Sequence, residues 1–238
     1  MNKEHPILFT GEMVRAIFEG RKKQTRRVVK PQPYKDDYSK PTLKDGLWAF
    51  PSEVRYPMIT SCPYGVFGDR LWARETLKTH NDERMTYSAD GESRYPESDD
   101  ERAWIWKRKT NSTISSIHMP KWATRLWLEI TGIRVERVQE INHKDALSEG
   151  CYDFVVESDS KYYNDHEFTV NAPNGDIHRQ TALIAFRELW DSINAKRGYG
   201  WESNPWVWVI EFKKGARNGK VQKETGSCGG CRSMVRGR

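Results

Sequence analysis

The run Trp206-Val207-Trp208-Val209-Ile210-Glu211-Phe212 is apolar at both parities as far as Glu211. A strand with no polar face belongs in the middle of a sheet, so this run predicts a central strand. Other segments supply its company. Leu126-Trp127-Leu128-Glu129-Ile130 reads as a mostly buried strand, broken or bulged at Gly132 and continued by Ile133, Val135 and Val138. Arg70-Leu71-Trp72-Ala73-Arg74-Glu75-Thr76 alternates as a strand after the turn signal Gly68-Asp69. Thr10 is an N-cap with Glu12 in the first turn, Met13, Ile17, Ala16 and Phe18 give an inward face, and Gly20 supplies the stop, which predicts a helix over 10–20. Asn142 caps a second, short helix running through Ala146 to Gly150. The strongest helical period joins Ala182, Ala185, Phe186, Leu189, Trp190 and Ile193, a core face that assigns Trp190 to packing and not to a ligand. Strands far apart in sequence with few helices between them predict an α+β fold, an antiparallel or mixed barrel with peripheral helices.

The rest of the chain is less regular. Residues 31–63 are rich in Pro, Asp, Lys and Tyr without a sustained period, which predicts an irregular excursion. From His80 to Glu101 the chain is polar and acidic, with a turn at Ala89-Asp90-Gly91-Glu92, and 152–180 is polar again. The expected organisation is one domain over 1–213 with insertions near 31–63, 78–115 and 151–180, then a basic, flexible tail over 214–238. No apolar run approaches the roughly 20 residues of a membrane span, and Lys3, Glu4 and His5 stand where a signal peptide needs apolar residues, so a cytoplasmic protein without a membrane partner is expected. Cys62, Cys151, Cys228 and Cys231 are too few and too scattered for a secreted disulfide scaffold and are expected to be reduced. Cys228-Gly-Gly-Cys231 has the spacing of half a zinc site but lacks a second pair, so no metal is expected. With no phosphate-loop, dinucleotide-binding, EF-hand or zinc-protease motif, no cofactor is expected either.

The net charge of +6 is unevenly spread. From Lys213 to Arg238 eight Lys/Arg face one acid, Glu224, and a second cluster, Arg15, Arg21, Lys22, Lys23, Arg26, Arg27 and Lys30, is opposed by Glu19. Local patches of this kind point to polyanion contact, because phosphate binding draws on local counterion release. The tail reads equally as a disordered solubilising end. Within the second cluster, Lys22-x-x-Thr25-x-Arg27 places a cation, a hydroxyl and a second cation where a loop enters a strand. A strand beginning near Gln24 turns Thr25 and Arg27 to one face. Such a set suits anion binding or activation of a weak nucleophile, and it also fits a solvated basic turn. A threonine hydroxyl needs a base, and a lysine serves as one when its pKa falls. Arg21, Lys23, Arg26 and Arg27 all push the Lys22 pKa down, as burial would.

Gly20-Arg21-Lys22-Lys23-Gln24-Thr25-Arg26-Arg27, directly after the first helix, resembles the G-x-K-x-x-T-x-R signature of the ASCH family. Gly68-Asp69 resembles that family's turn before a strand, Leu126 to Val138 its paired central strands, and Val209-Ile210-Glu211-Phe212 its closing strand. Cys62-Pro63-Tyr64-Gly65, Leu71-Trp72-Ala73-Arg74-Glu75-Thr76 and Ser116-Ile117-His118-Met119-Pro120-Lys121-Trp122-Ala123 are similar to the larger members carried by phages and prophages. The resemblance covers about half the chain. It implies a PUA-like mixed β-barrel with a cleft for RNA or nucleotides. Some small members are amidohydrolases that deacetylate 4-acetylcytidine with a lysine, a threonine and a glutamate. Carried over, these are Lys22 as proton acceptor, Thr25 as nucleophile, and Glu149, at the matching offset in Ala146-Leu147-Ser148-Glu149, as proton donor or orienting group. Arg21, Arg26, Arg27, Arg74 and Trp122 are the residues expected to hold substrate or nucleic acid.

Other readings remain open at this point. Glu149 also fits an exposed helix end, and Arg74 with Glu75 a cross-strand ion pair. Trp48, Tyr64, Trp104, Trp106 and Trp122 lie in or near the irregular segments, where two of them are expected to stack on bases. The insertions either cap the cleft for a small nucleoside or extend it along RNA. Hydrolysis of a modified nucleobase, RNA binding without chemistry, ribonuclease action and binding of a host protein by a phage-encoded surface each fit the resemblance.

Overall fold

The protein is described by a computed structural model that covers residues 2–33, 40–51, 57–108, 111–152 and 182–215, with the backbone alone at 154–156 and 178–180. In chain order the elements are β1 (Glu4–Leu8), α1 (Gly11–Phe18), β2 (Gln24–Val28), β3 (Thr42–Lys44), β4 (Leu47–Phe50), β5 (Met58–Thr60), β6 (Arg70–Arg74), β7 (Leu77–Thr79), β8 (Met85–Tyr87) and β9 (Ser93–Arg94). There follow α2 (Asp99–Trp106), β10 (Thr113–Ile114), β11 (Trp127–Arg137), α3 (His143–Ser148), β12 (Phe154–Val156), β13 (His178–Gln180), α4 (Ala182–Asn194) and β14 (Trp206–Gly215).

The doubly apolar run forms most of β14, which lies between β11 and β2 in a five-stranded sheet of order β1-β6-β11-β14-β2. Its two faces feed two cores. Trp206, Trp208, Ile210 and Phe212 pack with Ile7, Leu71, Leu128 and Ile130 on one side, while Val207 and Val209 pack with Val138, Ala146, Phe186 and Trp190 on the other. The pairing of β11 with β14 shifts register between Ile130 and Gly132, the predicted bulge. A Cβ on Gly132 would lie 2.8 Å from a Glu211 carboxylate oxygen, so a side chain there would displace the Glu211 carboxylate.

The fold is α+β, but the main sheet is not a closed barrel. Its edges are β1 and β2, and β1 runs parallel to β6 while the other pairs are antiparallel. A side chain bridges the open edges, with Arg27 Nη2 donating to the Leu8 carbonyl at 2.5 Å.

The first two insertions are more regular than their composition predicts. Within 31–63 the strands β3, β4 and β5 form a three-stranded antiparallel sheet. The turn between β3 and β4 is Asp45-Gly46 with φ of 51° and 77°, a two-residue hairpin signal that the surrounding polar residues obscure. Trp48 and Phe50 of this sheet stand edge-on to Trp208 and Trp206. Within 78–115, β10, β7, β8 and β9 form a four-stranded sheet closed by α2, with Leu77, Met85, Tyr87, Ile105 and Met119 as its own small core. In the third insertion, 157–177 lie outside the described residues, as do 216–238 of the tail with Cys228 and Cys231. No helix among the described residues is long and apolar enough to cross a membrane.

Candidate functional site

The signature segment is held by backbone bonds from three directions. Thr10 caps α1 by accepting from the Met13 N–H at 3.3 Å, and Gly20 takes the left-handed conformation that ends the helix. The Lys22 N–H then donates to Ala16 O at 3.0 Å, the Lys23 N–H to Ser148 O at 2.8 Å, and the Phe212 N–H to Lys23 O at 2.9 Å. The loop between α1 and β2 is thereby fixed to α3 and β14. From α3, capped by Asn142 through the Asp145 N–H, the chain reaches Glu149 and turns at Gly150 with φ of 94°. A Cβ on Gly150 would lie 3.2 Å from the Cβ atoms of both Ala16 and Lys22, so close approach and positive φ both demand glycine there.

That approach brings Lys22 and Glu149 together in the interior, where they are 2% and 5% exposed. Lys22 Nζ donates to Glu149 Oε2 at 2.8 Å and to the Glu149 carbonyl at 2.7 Å. The other carboxylate oxygen accepts from Arg26 Nη1 at 3.2 Å. Arg26 Nη2 reaches Asp145 at 2.9 Å and Glu136 at 3.1 Å, and Arg134 bridges Asp145, Glu136 and Glu211. Glu149 is therefore a buried anion held by two cations, and not an exposed helix end. Burial lowers the Lys22 pKa, Glu149 opposes that by favouring the ammonium, and Arg27 adds to the lowering.

Beside this pair lies a cavity of about 460 Å³, within the usual range for small-molecule sites. Thr25, Glu149 and Arg27 line it, with Met13, Leu189 and Ile193 among its apolar walls and Tyr64 and Tyr199 among its aromatic ones. Thr25 pairs with Ile210 and Arg27 with Trp208 across the β2–β14 ladder, so both point to the same face, as the alternation predicts. The Thr25 hydroxyl has no hydrogen-bond partner among the described residues. Lys22 lies off the cavity wall, and its amine rests on Glu149 instead of Thr25. A second cavity, of about 360 Å³, shares Met13, Glu149 and Leu189 with the first, so Glu149 borders both.

The remaining expected residues divide. Arg27 and Arg74 line the first cavity. Arg26 borders it too, but its guanidinium is committed to three carboxylates and packs over Phe186. Arg21 faces the second cavity, donating to Gly150 O at 2.8 Å. Trp122 is remote from the site, edge-on to Trp104 in the small core beside α2. Glu75 is paired with Arg125 by two bonds of 2.8 Å, and Arg74 instead donates to the Ile117 carbonyl. Of the five candidate stacking aromatics only Tyr64 reaches the cavity. Trp48 and Trp104 are packed, and the exposed Trp106 donates to Glu83.

Sequence reasoning did not single out Lys30, Arg197, Tyr199, Leu189 or Ile193 as cavity residues. Leu189 and Ile193 belong to the apolar stripe of α4; Phe186 and Trp190 of that stripe are buried in the core and also border the cavity, while Ala182 is buried away from it. Arg197 and Tyr199 sit in the turn after α4, where no local pattern marks them. Among the described residues no group of three or more His, Cys, Asp or Glu side chains is arranged to hold a metal ion. Compared with protein-family models, with curated proteins and with solved structures, the chain matches none.

Proposed function

We propose that this chain is a hydrolase of the ASCH type on a PUA-like plan, which binds an N-acylated, cytosine-like nucleobase in the larger cavity and cleaves its amide with Thr25, Lys22 and Glu149. The observation that carries the reading is an unpartnered threonine hydroxyl in a cavity whose wall includes Glu149, the carboxylate that holds a fully buried lysine.

In this reading the Thr25 oxygen attacks the acyl carbonyl and its proton passes to the neutral Lys22 amine. The amine must leave the Glu149 carboxylate to reach the hydroxyl. Burial favours the neutral base and Glu149 restrains it, so the two effects oppose each other at the atom that has to accept the proton. The C–N bond then breaks as the Lys22 ammonium returns the proton to the departing base amine, and water releases the acyl group from Thr25. Glu149 orients Lys22 throughout, and Arg26 holds the other carboxylate oxygen of Glu149. Tyr64 and Tyr199 offer aromatic surfaces to the base, and Leu189 and Ile193 offer apolar ones. The test is incubation of the purified protein with 4-acetylcytidine and a panel of N-acyl nucleosides, with chromatographic detection of the free base. Turnover of at least one is expected, and no turnover of any of them sinks the proposal.

A further inference from the structure

The larger cavity carries far more positive charge than an uncharged nucleoside requires. Arg27, Lys30, Arg74 and Arg197 all line it, and none of the four has a carboxylate partner among the described residues. Elsewhere in the protein arginines are heavily paired: Arg26, Arg125 and Arg134 each meet three acidic side chains. Among the described residues the one carboxylate on the cavity wall is Glu149, which is already engaged by Lys22 and Arg26.

Two of these cations are also rigidly placed. Leu8 and Arg74 are opposite partners at the ends of β1 and β6, and Arg27 donates to the Leu8 carbonyl, so both arginines belong to one corner of the sheet. Arg27 is anchored by one nitrogen and by the Phe9 ring at 5.5 Å, and Arg74 by one nitrogen and by the Trp72 ring at 5.3 Å. In both the Nε–H is buried without a partner. Across the cavity Lys30 lies 5.3 Å above the Tyr199 ring, and Tyr199 is itself fixed by its carbonyl accepting from Trp190 Nε1 at 2.8 Å. Uncompensated cations in a partly enclosed space repel one another and lose hydration, a cost that an anionic ligand offsets. A phosphate monoester brings close to two negative charges and three acceptor oxygens, which suits two anchored guanidiniums and two further cations better than a single carboxylate does.

We propose that Arg27, Lys30, Arg74 and Arg197 form a phosphate subsite, and that the substrate of this cavity is a nucleoside monophosphate and not the bare nucleoside. The proposal rests on the hydrolase reading for the identity of the base, but its test reads binding alone. Affinities of cytidine, cytidine monophosphate, inorganic phosphate and a short cytidine-containing RNA are measured by titration calorimetry on the full chain. The monophosphate is expected to bind at least about tenfold more tightly than cytidine, the scale of one charge-assisted hydrogen bond. In Arg197→Ala and Arg74→Ala that preference should shrink several-fold. Arg197 is exposed in a surface turn, so its substitution leaves the fold intact, which a melting curve verifies.

Equal affinity for cytidine and its monophosphate overturns the subsite, whether or not acyl nucleosides are hydrolysed. So does a preference that both arginine variants retain. Monophosphate preference without any hydrolysis upholds the subsite while the hydrolase reading fails. RNA binding tighter than the monophosphate, lost together with it in the variants, upholds the subsite and assigns the phosphate to a polymer.

Discussion

Replacing Glu149 should cost more stability than replacing Lys22, although the two share one ion pair. Both side chains are interior, at 4% and 0% exposure. In Glu149→Leu the Lys22 ammonium loses its one carboxylate partner among the described residues and keeps the backbone carbonyl, whereas Arg26 retains Glu136 and Asp145. A buried charge stripped of its partner costs about 3–5 kcal/mol. In Lys22→Met the Glu149 carboxylate still holds Arg26, and the losses are two hydrogen bonds and one counter-ion, about 1–3 kcal/mol. The double variant Lys22→Met/Glu149→Leu puts apolar groups where the pair was and removes the stranded charge. It should therefore be more stable than Glu149→Leu alone. Urea unfolding followed by the fluorescence of the ten tryptophans measures all three variants. A Lys22→Met cost equal to or above that of Glu149→Leu, or strictly additive costs in the double variant, would refute this account of the pair.

Three further outcomes follow from the same geometry. Burial holds the Lys22 pKa below the ordinary lysine value, so above the folded value the unfolded chain binds more protons and the contribution of Lys22 to stability rises with pH. The stability difference between wild type and Lys22→Met should thus increase from about pH 8 to about pH 10, and a flat or falling difference contradicts the burial assignment. Gly150→Ala combines positive φ with contacts at 3.2 Å and should cost about 1–3 kcal/mol, measurably more than Gly198→Ala, which has a similar φ but open space around it. Burial raises the Cys62 and Cys151 thiols to about 11, so peptide mapping should show both alkylated by iodoacetamide about a hundredfold more slowly than free cysteine near pH 8.

The parts of the fold that the sequence reveals are those where one local pattern decides the outcome. The two-faced apolar run could only be central, Thr10 and Asn142 could cap helices by their own side chains, and Gly132 marked the bulge. Thr25 and Arg27 share a face by simple alternation. The three-stranded sheet at β3–β5 was hidden because its strands are short and its apolar residues, Trp48 and Phe50, are satisfied by distant Trp206 and Trp208. The carboxylate partners of Arg26 were hidden for the same reason. Its partners Glu136, Asp145 and Glu149 lie more than a hundred residues away, and only the fold assembles them. The cations of the cavity wall were half visible, since Lys30 belongs to the basic cluster after α1 while Arg197 joins it through the placement of α4. The stripe of α4 shows the limit of periodicity: it finds Phe186, Leu189, Trp190 and Ile193 as one apolar face, but not that this face also borders a cavity.

The central claim is that Thr25 is the nucleophile of an amide hydrolase, and the most direct measurement is kcat/KM for an N-acyl cytidine with wild type and Thr25→Val. The valine keeps the shape of the strand residue and removes the hydroxyl. The account predicts a loss of about 10²–10⁴-fold with an unchanged melting temperature. Undiminished hydrolysis by Thr25→Val would contradict it.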